Sequence, residues 1–128
     1  MNSILKRFLS TKTVKNVLHV TAKHTNESIV STVSQNLVTK LEFSHNFKER
    51  NVWKETLVNY NTDHVAAKFR ILSGNGNEKD KEIFEPIRVL ASELNDTDLL
   101  VLSTPLWNFG LPYIMKQYVD IVIQPGKF

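Results

Sequence analysis

Apolar positions in this chain change their period along its length, and each change marks an element. Residues 14–21, Val-Lys-Asn-Val-Leu-His-Val-Thr, read as a short buried strand. His19 interrupts that run, and its expected role is a hydrogen bond at one sheet face rather than catalysis. After a polar loop over 22–27, Ile29, Val30, Val33, Leu37, Val38 and Leu41 keep helical spacing and predict a helix from about 28 to 41. Val52, Trp53, Leu57 and Val58 predict a second strand within 51–60, at the edge beside the first. Residues 68–72 form a short helix or a loop segment. Gly74-Asn75-Gly76-Asn77 is an ordinary turn, because it lacks the third glycine and the strand-to-helix setting of a dinucleotide fingerprint. Ile83, Ile87, Leu90 and Leu94 then recur on one side of a helix over 78–95 that tolerates Pro86. Glu82 and Glu85 lie on its wet face, where their spacing suits solvation rather than acid–base chemistry.

The most informative stretch runs from Asp98 to Pro112. Leu99-Leu100-Val101-Leu102 predicts a strand covered on both faces, and Pro112 presets the first turn of a helix over 113–122. The alternation of strand and helix, three times over, predicts an α/β protein with a parallel sheet between two helical layers. Ligands of such sheets bind beyond the carboxyl ends of the strands, where Trp107, Asn108, Phe109 and Gly110 fall. These residues suit a flat heteroaromatic ligand. Trp107 and Phe109 offer rigid apolar faces, Asn108 offers a donor and an acceptor, and Gly110 lets backbone come close. Lys116 and Asp120, one helical turn apart, form a surface ion pair.

Composition narrows the choice. A chain of 128 residues can bury roughly two-thirds of its unfolded surface, enough for one core. The absence of cysteine excludes disulfides, thiolate metal sites and cysteine nucleophiles. His19, His24, His45 and His64 show no metal-ligand spacing, and no apolar run approaches membrane-spanning length. The net charge of +3 is uneven: Lys6, Arg7, Lys12, Lys15 and Lys23 precede the first acid, Glu27. With Ile4, Leu5, Phe8 and Leu9 on one helical side, residues 1–13 have the make-up of a mitochondrial targeting segment, the alternative being a basic tail on a cytoplasmic protein. These charges do not sit in a groove-forming element interleaved with aromatic residues, as nucleic-acid binding requires.

Thr104-Pro105-Leu106-Trp107-Asn108-Phe109, followed by Pro112, Met115-Lys116, Tyr118-Val119-Asp120 and Gly126-Lys127-Phe128, resembles the flavin-binding stretch of the FMN-dependent NADH:quinone oxidoreductases called azoreductases. The resemblance implies a flavodoxin-like fold over 14–128, here its first three strands in the order 2-1-3, incomplete at the carboxyl end. It implies that Leu106, Trp107, Asn108 and Phe109 lie along the isoalloxazine ring, with Gly110 beside them. The FMN phosphate would rest at the loop after the first strand, where Thr21, Ser28 and Ser31 supply hydroxyls at a helix amino end. Glu27 would repel that phosphate unless it faces solvent as a helix-capping acid. The implied activity is ping-pong two-electron transfer from NADH or NADPH to a quinone or azo compound, in a homodimer. The alternative is a truncated, non-catalytic flavodoxin-like subunit with a structural or regulatory role, favoured by an exposed apolar edge at residues 99–102. A flavin-binding electron carrier is a third, weaker possibility.

Overall fold

β1 (Asn16–Thr21) is the middle strand of a parallel three-stranded sheet, flanked by β2 (Asn46–Asn51) and β3 (Leu99–Ser103) in the order β2-β1-β3. The computed structural model describes residues 14–25 and 27–124. The basic segment 1–13 and the Gly126-Lys127-Phe128 end of the motif lie outside the described residues. Register sets His19 opposite Glu49 and Val101, and Thr21 opposite Asn51 and Ser103. Because side chains alternate along a strand, Leu18 and Val20 face one layer while Val17, His19 and Thr21 face the other.

Leu18 and Val20 meet Phe84 and Ile87 of α3 (Glu78–Asn95) and Met115, Tyr118 and Ile121 of α4 (Tyr113–Val122), all buried. Each such side chain contributes roughly 1.5–3 kcal/mol by leaving water, so this face is the main core. α1 (Ile29–Ser44) contributes nothing to that core and packs across β2 and β3 on the opposite face. The predicted three layers and strand order are therefore present. Among the described residues no helix is long and apolar enough to cross a membrane.

Four elements differ from the sequence reading. One is β3, which leaves Leu100 and Leu102 exposed instead of being covered on both faces, because no further strand or helix lies over them among the described residues. The second strand is Asn-Phe-Lys-Glu-Arg-Asn, not a segment of 51–60. Its charges hide it from an apolar-pattern search, and it joins the sheet because an edge strand can turn Lys48 and Glu49 to solvent. Val52, Trp53, Leu57 and Val58 instead pack against the core from the chain that follows it. The segment read as 68–72 belongs to a longer helix, α2 (Thr62–Leu72). It starts at a capping box in which Asn61 Oδ1 accepts from the amides of Asp63 (3.0 Å) and His64 (3.3 Å). Histidine in place of the usual Glu or Gln concealed that box. α1 runs to Ser44 but buries only Val38, leaving Ile29 and Val33 81% and 75% exposed. A narrow three-stranded sheet, roughly 10 Å across, can cover only one stripe of a helix.

Polar contacts tie the layers together. Asn77 caps α3 by accepting the Asp80 amide (3.0 Å), and the Asp80 carboxylate accepts the Asn77 amide (3.1 Å) together with Arg70 Nε (3.0 Å) and Nη2 (2.6 Å), joining α2 to α3. Arg50 Nε donates to Glu93 (2.9 Å), joining β2 to α3. Glu85 pairs with Arg88 on the exposed face of α3, as solvated acids do. His19, 2% exposed, makes the expected sheet-face hydrogen bonds, with Glu49 (3.2 Å) and Ser103 (2.8 Å).

Candidate functional site

The chain leaving β3 turns through a tight hairpin before entering α4. The Trp107 amide donates to the Gly110 carbonyl (2.8 Å) and the Gly110 amide donates back (3.0 Å). Both residues between them are left-handed, Asn108 at φ 48° and Phe109 at φ 64°. Asparagine tolerates this conformation; phenylalanine does so at a cost. Gly110 is not needed for space, since a Cβ there would meet only the Trp107 carbonyl oxygen at 3.9 Å. The hairpin thus presents the Asn108 amide and the Phe109 ring outward, at the carboxyl edge of the sheet. Both are exposed, and among the described residues the Asn108 side chain has no hydrogen-bond partner. Pro112 is the N-cap of α4 rather than its first helical residue, and no side chain caps that end. Lys116 and Asp120 form the expected surface ion pair.

A cavity of about 400 Å³ opens on the same edge, lined by Ala22, His24, Thr25, Glu27, Ser28, Ile29, Val30 and Pro105. It sits between the loop after β1, the amino end of α1 and the chain leaving β3. Ser28 is the N-cap of α1: its Oγ accepts the Ser31 amide (3.2 Å) and lies 3.0 Å from Ser31 Oγ. Two hydroxyls share one mutual bond, so one proton stays free to donate to an anion beside the helix amides. No acidic residue occupies the first turn of α1. Glu27, exposed, nevertheless lines the cavity just ahead of that turn.

The predicted residues are divided by this geometry. Ser28 reaches the cavity wall, with Ser31 hydrogen-bonded behind it, whereas Thr21 is 1% exposed and its Oγ1 accepts the Lys23 amide (3.3 Å). Thr21 shapes the loop and does not line the cavity. Leu106, Trp107, Asn108, Phe109 and Gly110 lie together beyond Pro105. Three aromatic neighbours escaped the sequence reading as members of the site: His24 and Trp53 pack on Trp107 (6.2 and 5.8 Å between ring centres), and Tyr113 packs on Trp53 (5.6 Å). No local pattern marks Trp53 as near Trp107, because the contact exists only once both loops meet over the sheet edge.

A wider groove of about 1170 Å³ runs along β2 and α3 toward the amino ends of β1 and β2. Its buried charges are satisfied internally, Arg50 by Glu93 and Glu55, and Glu93 also by Lys48. The carboxyl-edge cavity is smaller, and none of residues 106–110 lines it, yet it opens beside the hairpin that carries the unpartnered Asn108 amide and the exposed rings, and cavity and hairpin together are the candidate site.

The strand order and the edge site define an open, parallel α/β protein built to hold a ligand where its loops converge. A family model described as flavodoxin-like fold matches residues 15–128, and the chain belongs to that family. It is 35% identical over 75 residues to the FMN-dependent NADH:quinone oxidoreductase 2 of Burkholderia lata, covering 58% of this chain and 36% of that one. To the FMN-dependent NADH:quinone oxidoreductase of Desulfotalea psychrophila it is 27% identical over 105 residues, covering 79% and 50%. The crystal structure of an azoreductase from Bacillus anthracis str. Sterne matches it with a TM-score of 0.74 at 19% identity, over 88% of this chain and 57% of the other. An FMN-dependent NADH-azoreductase from Bacillus anthracis str. Ames Ancestor, solved in complex with FMN, also gives 0.74, at 14% identity. The chain spans half or less of these curated relatives' length.

Proposed function

We propose that this chain binds FMN at the carboxyl edge of its sheet and takes part in two-electron transfer from NADH or NADPH to a quinone or azo compound. One juxtaposition carries the reading: a cavity at a capped helix start lies beside a hairpin that displays an unpartnered amide and exposed rings. The first suits an anionic tail and the second a planar ring. FMN held there would supply the hydride chemistry, the protein supplying position and electrostatics. Ser28 would donate a hydroxyl proton to the phosphate, and Ser31 would hold Ser28 in place. Asn108 and the amides around it would hydrogen-bond the ring edge and favour negative charge there. Trp107 would wall the ring off from water.

Homodimer formation belongs to the same proposal and is supported by the exposed apolar side chains of β3. The basic, acid-free composition of residues 1–13 supports mitochondrial delivery; fusing that segment to a fluorescent protein and finding it spread through the cytoplasm would refute this.

Purified protein should be yellow, or stay yellow after incubation with FMN and removal of the unbound flavin on a desalting column, and its flavin absorbance should bleach with NADH. Protein that stays colourless would favour a non-catalytic subunit. Replacing Asn108 with alanine should weaken FMN binding by about 1–3 kcal/mol, the cost of a hydrogen-bonding group left unpaired, read from a flavin fluorescence titration. Unchanged affinity would rule out the proposed ring placement.

A further inference from the structure

Trp53 touches both halves of the proposed site. Its indole N–H donates to the Ala22 carbonyl (3.0 Å), and Ala22 lines the cavity at the head of α1. Its ring lies 5.8 Å from Trp107 at a tilt of 43° and meets Tyr113 edge-on, at 86° and 5.6 Å. The backbone beneath is fixed. Asn51, buried at the end of β2, accepts the Trp53 amide with Oδ1 (3.1 Å) and donates through Nδ2 to the Lys23 carbonyl (3.1 Å). Val52, between them, is fully buried.

Besides the two strand ends, the loop after β1 and the hairpin after β3 meet directly, among the described residues, only where the exposed His24 ring touches Trp107 edge-on (6.2 Å, 63°). A ligand with an anionic tail and a flat ring must find both loops at one spacing, and any freedom between them is entropy lost on binding. A rigid indole anchored to β2, bonded to one loop and packed on the other, removes that freedom in advance. We propose that Trp53 is a positioning residue that fixes this spacing, so that the site prefers a flavin bearing a phosphate over the same ring without one. The inference rests on the FMN reading above and adds a residue and a selectivity to it.

Titrating the full chain with FMN and with riboflavin tests it. Wild-type protein should bind FMN at least about tenfold more tightly than riboflavin, as a charge-assisted phosphate contact implies. Trp53→Phe keeps a ring against Trp107 and Tyr113 but loses the donor to Ala22. It should cut the FMN preference by about threefold or more, the scale of one neutral hydrogen bond, while riboflavin affinity stays within about twofold. Equal weakening of both ligands, or no change in either, overturns the inference and leaves the flavin site standing. Wild-type protein that binds neither ligand overturns the flavin reading and this inference with it. The chain has two tryptophans, so Trp107→Phe makes Trp53 the sole indole. At FMN concentrations where flavin fluorescence shows this variant saturated, its indole emission should be quenched, and emission that ignores the bound FMN overturns the assignment even if Trp53→Phe fails to fold.

Discussion

Phe109 combines a fully exposed ring with a left-handed backbone; the two-residue turn requires that backbone, but nothing in the packing of the chain requires phenylalanine there. An L-residue in that region costs about 1–2 kcal/mol, and strain of this kind persists where the displayed side chain has a use. Phe109→Gly should therefore raise stability by up to about 1 kcal/mol, after allowing for the extra chain entropy of glycine. The same change should lower flavin affinity. Urea unfolding and flavin titration of one variant check both halves, and a midpoint that stays put would show that the turn holds no strain. The residues of this loop were legible in the sequence because they are contiguous, but neither the hairpin nor its strain was. Both appear only when the Trp107–Gly110 bridge closes around the two residues between.

At the scale of elements, one histidine joins the three strands. The Glu49 carboxylate can only accept, so neutral His19 carries its proton on Nδ1 and takes the Ser103 hydroxyl proton at Nε2. Glu49 is held in turn by Lys23 Nζ (3.0 Å), which extends the line to the loop before α1. Burial pushes the His19 pKa below its ordinary value of 6.5, and attraction to Glu49 only partly offsets that effect. A folded pKa below the unfolded one means that the unfolded chain binds the proton more readily. Stability is thus full above 6.5 and falls as pH drops from there through the lower folded value. Melting temperatures taken on either side of 6.5 should show this decline, and His19→Gln should flatten it. An unaltered slope in the variant would assign the pH dependence to other groups. His19 was recognisable as the polar interruption of an apolar strand, whereas its partners on β2 and β3 follow only from register.

For the molecule as a whole, β3 is the exposed consequence of the sheet order. Its outer edge is unpaired among the described residues, and Leu100 and Leu102 are 39% and 44% exposed beside the buried Leu18 and Val20. Unpaired backbone next to apolar side chains promotes association. Sedimentation at rising concentration should show self-association, and Leu102→Lys, which places a charge on that face, should suppress it. A wild-type protein that sediments as a monomer throughout would remove this surface from consideration.

What the sequence alone determined is whatever lies within a short stretch of chain: the buried β1 with its histidine, the long α3, and β3 with the ligand-facing loop that follows it. Their signals are local runs and spacings, which neighbouring residues set. The tertiary structure decided the rest. Asn-Phe-Lys-Glu-Arg-Asn is a strand only because β1 offers it an edge, and α1 keeps Ile29 and Val33 in water because the sheet beneath is narrow. Trp53 reaches Ala22 and Trp107 only after three strands have brought their carboxyl ends level, since such contacts depend on where separate segments meet.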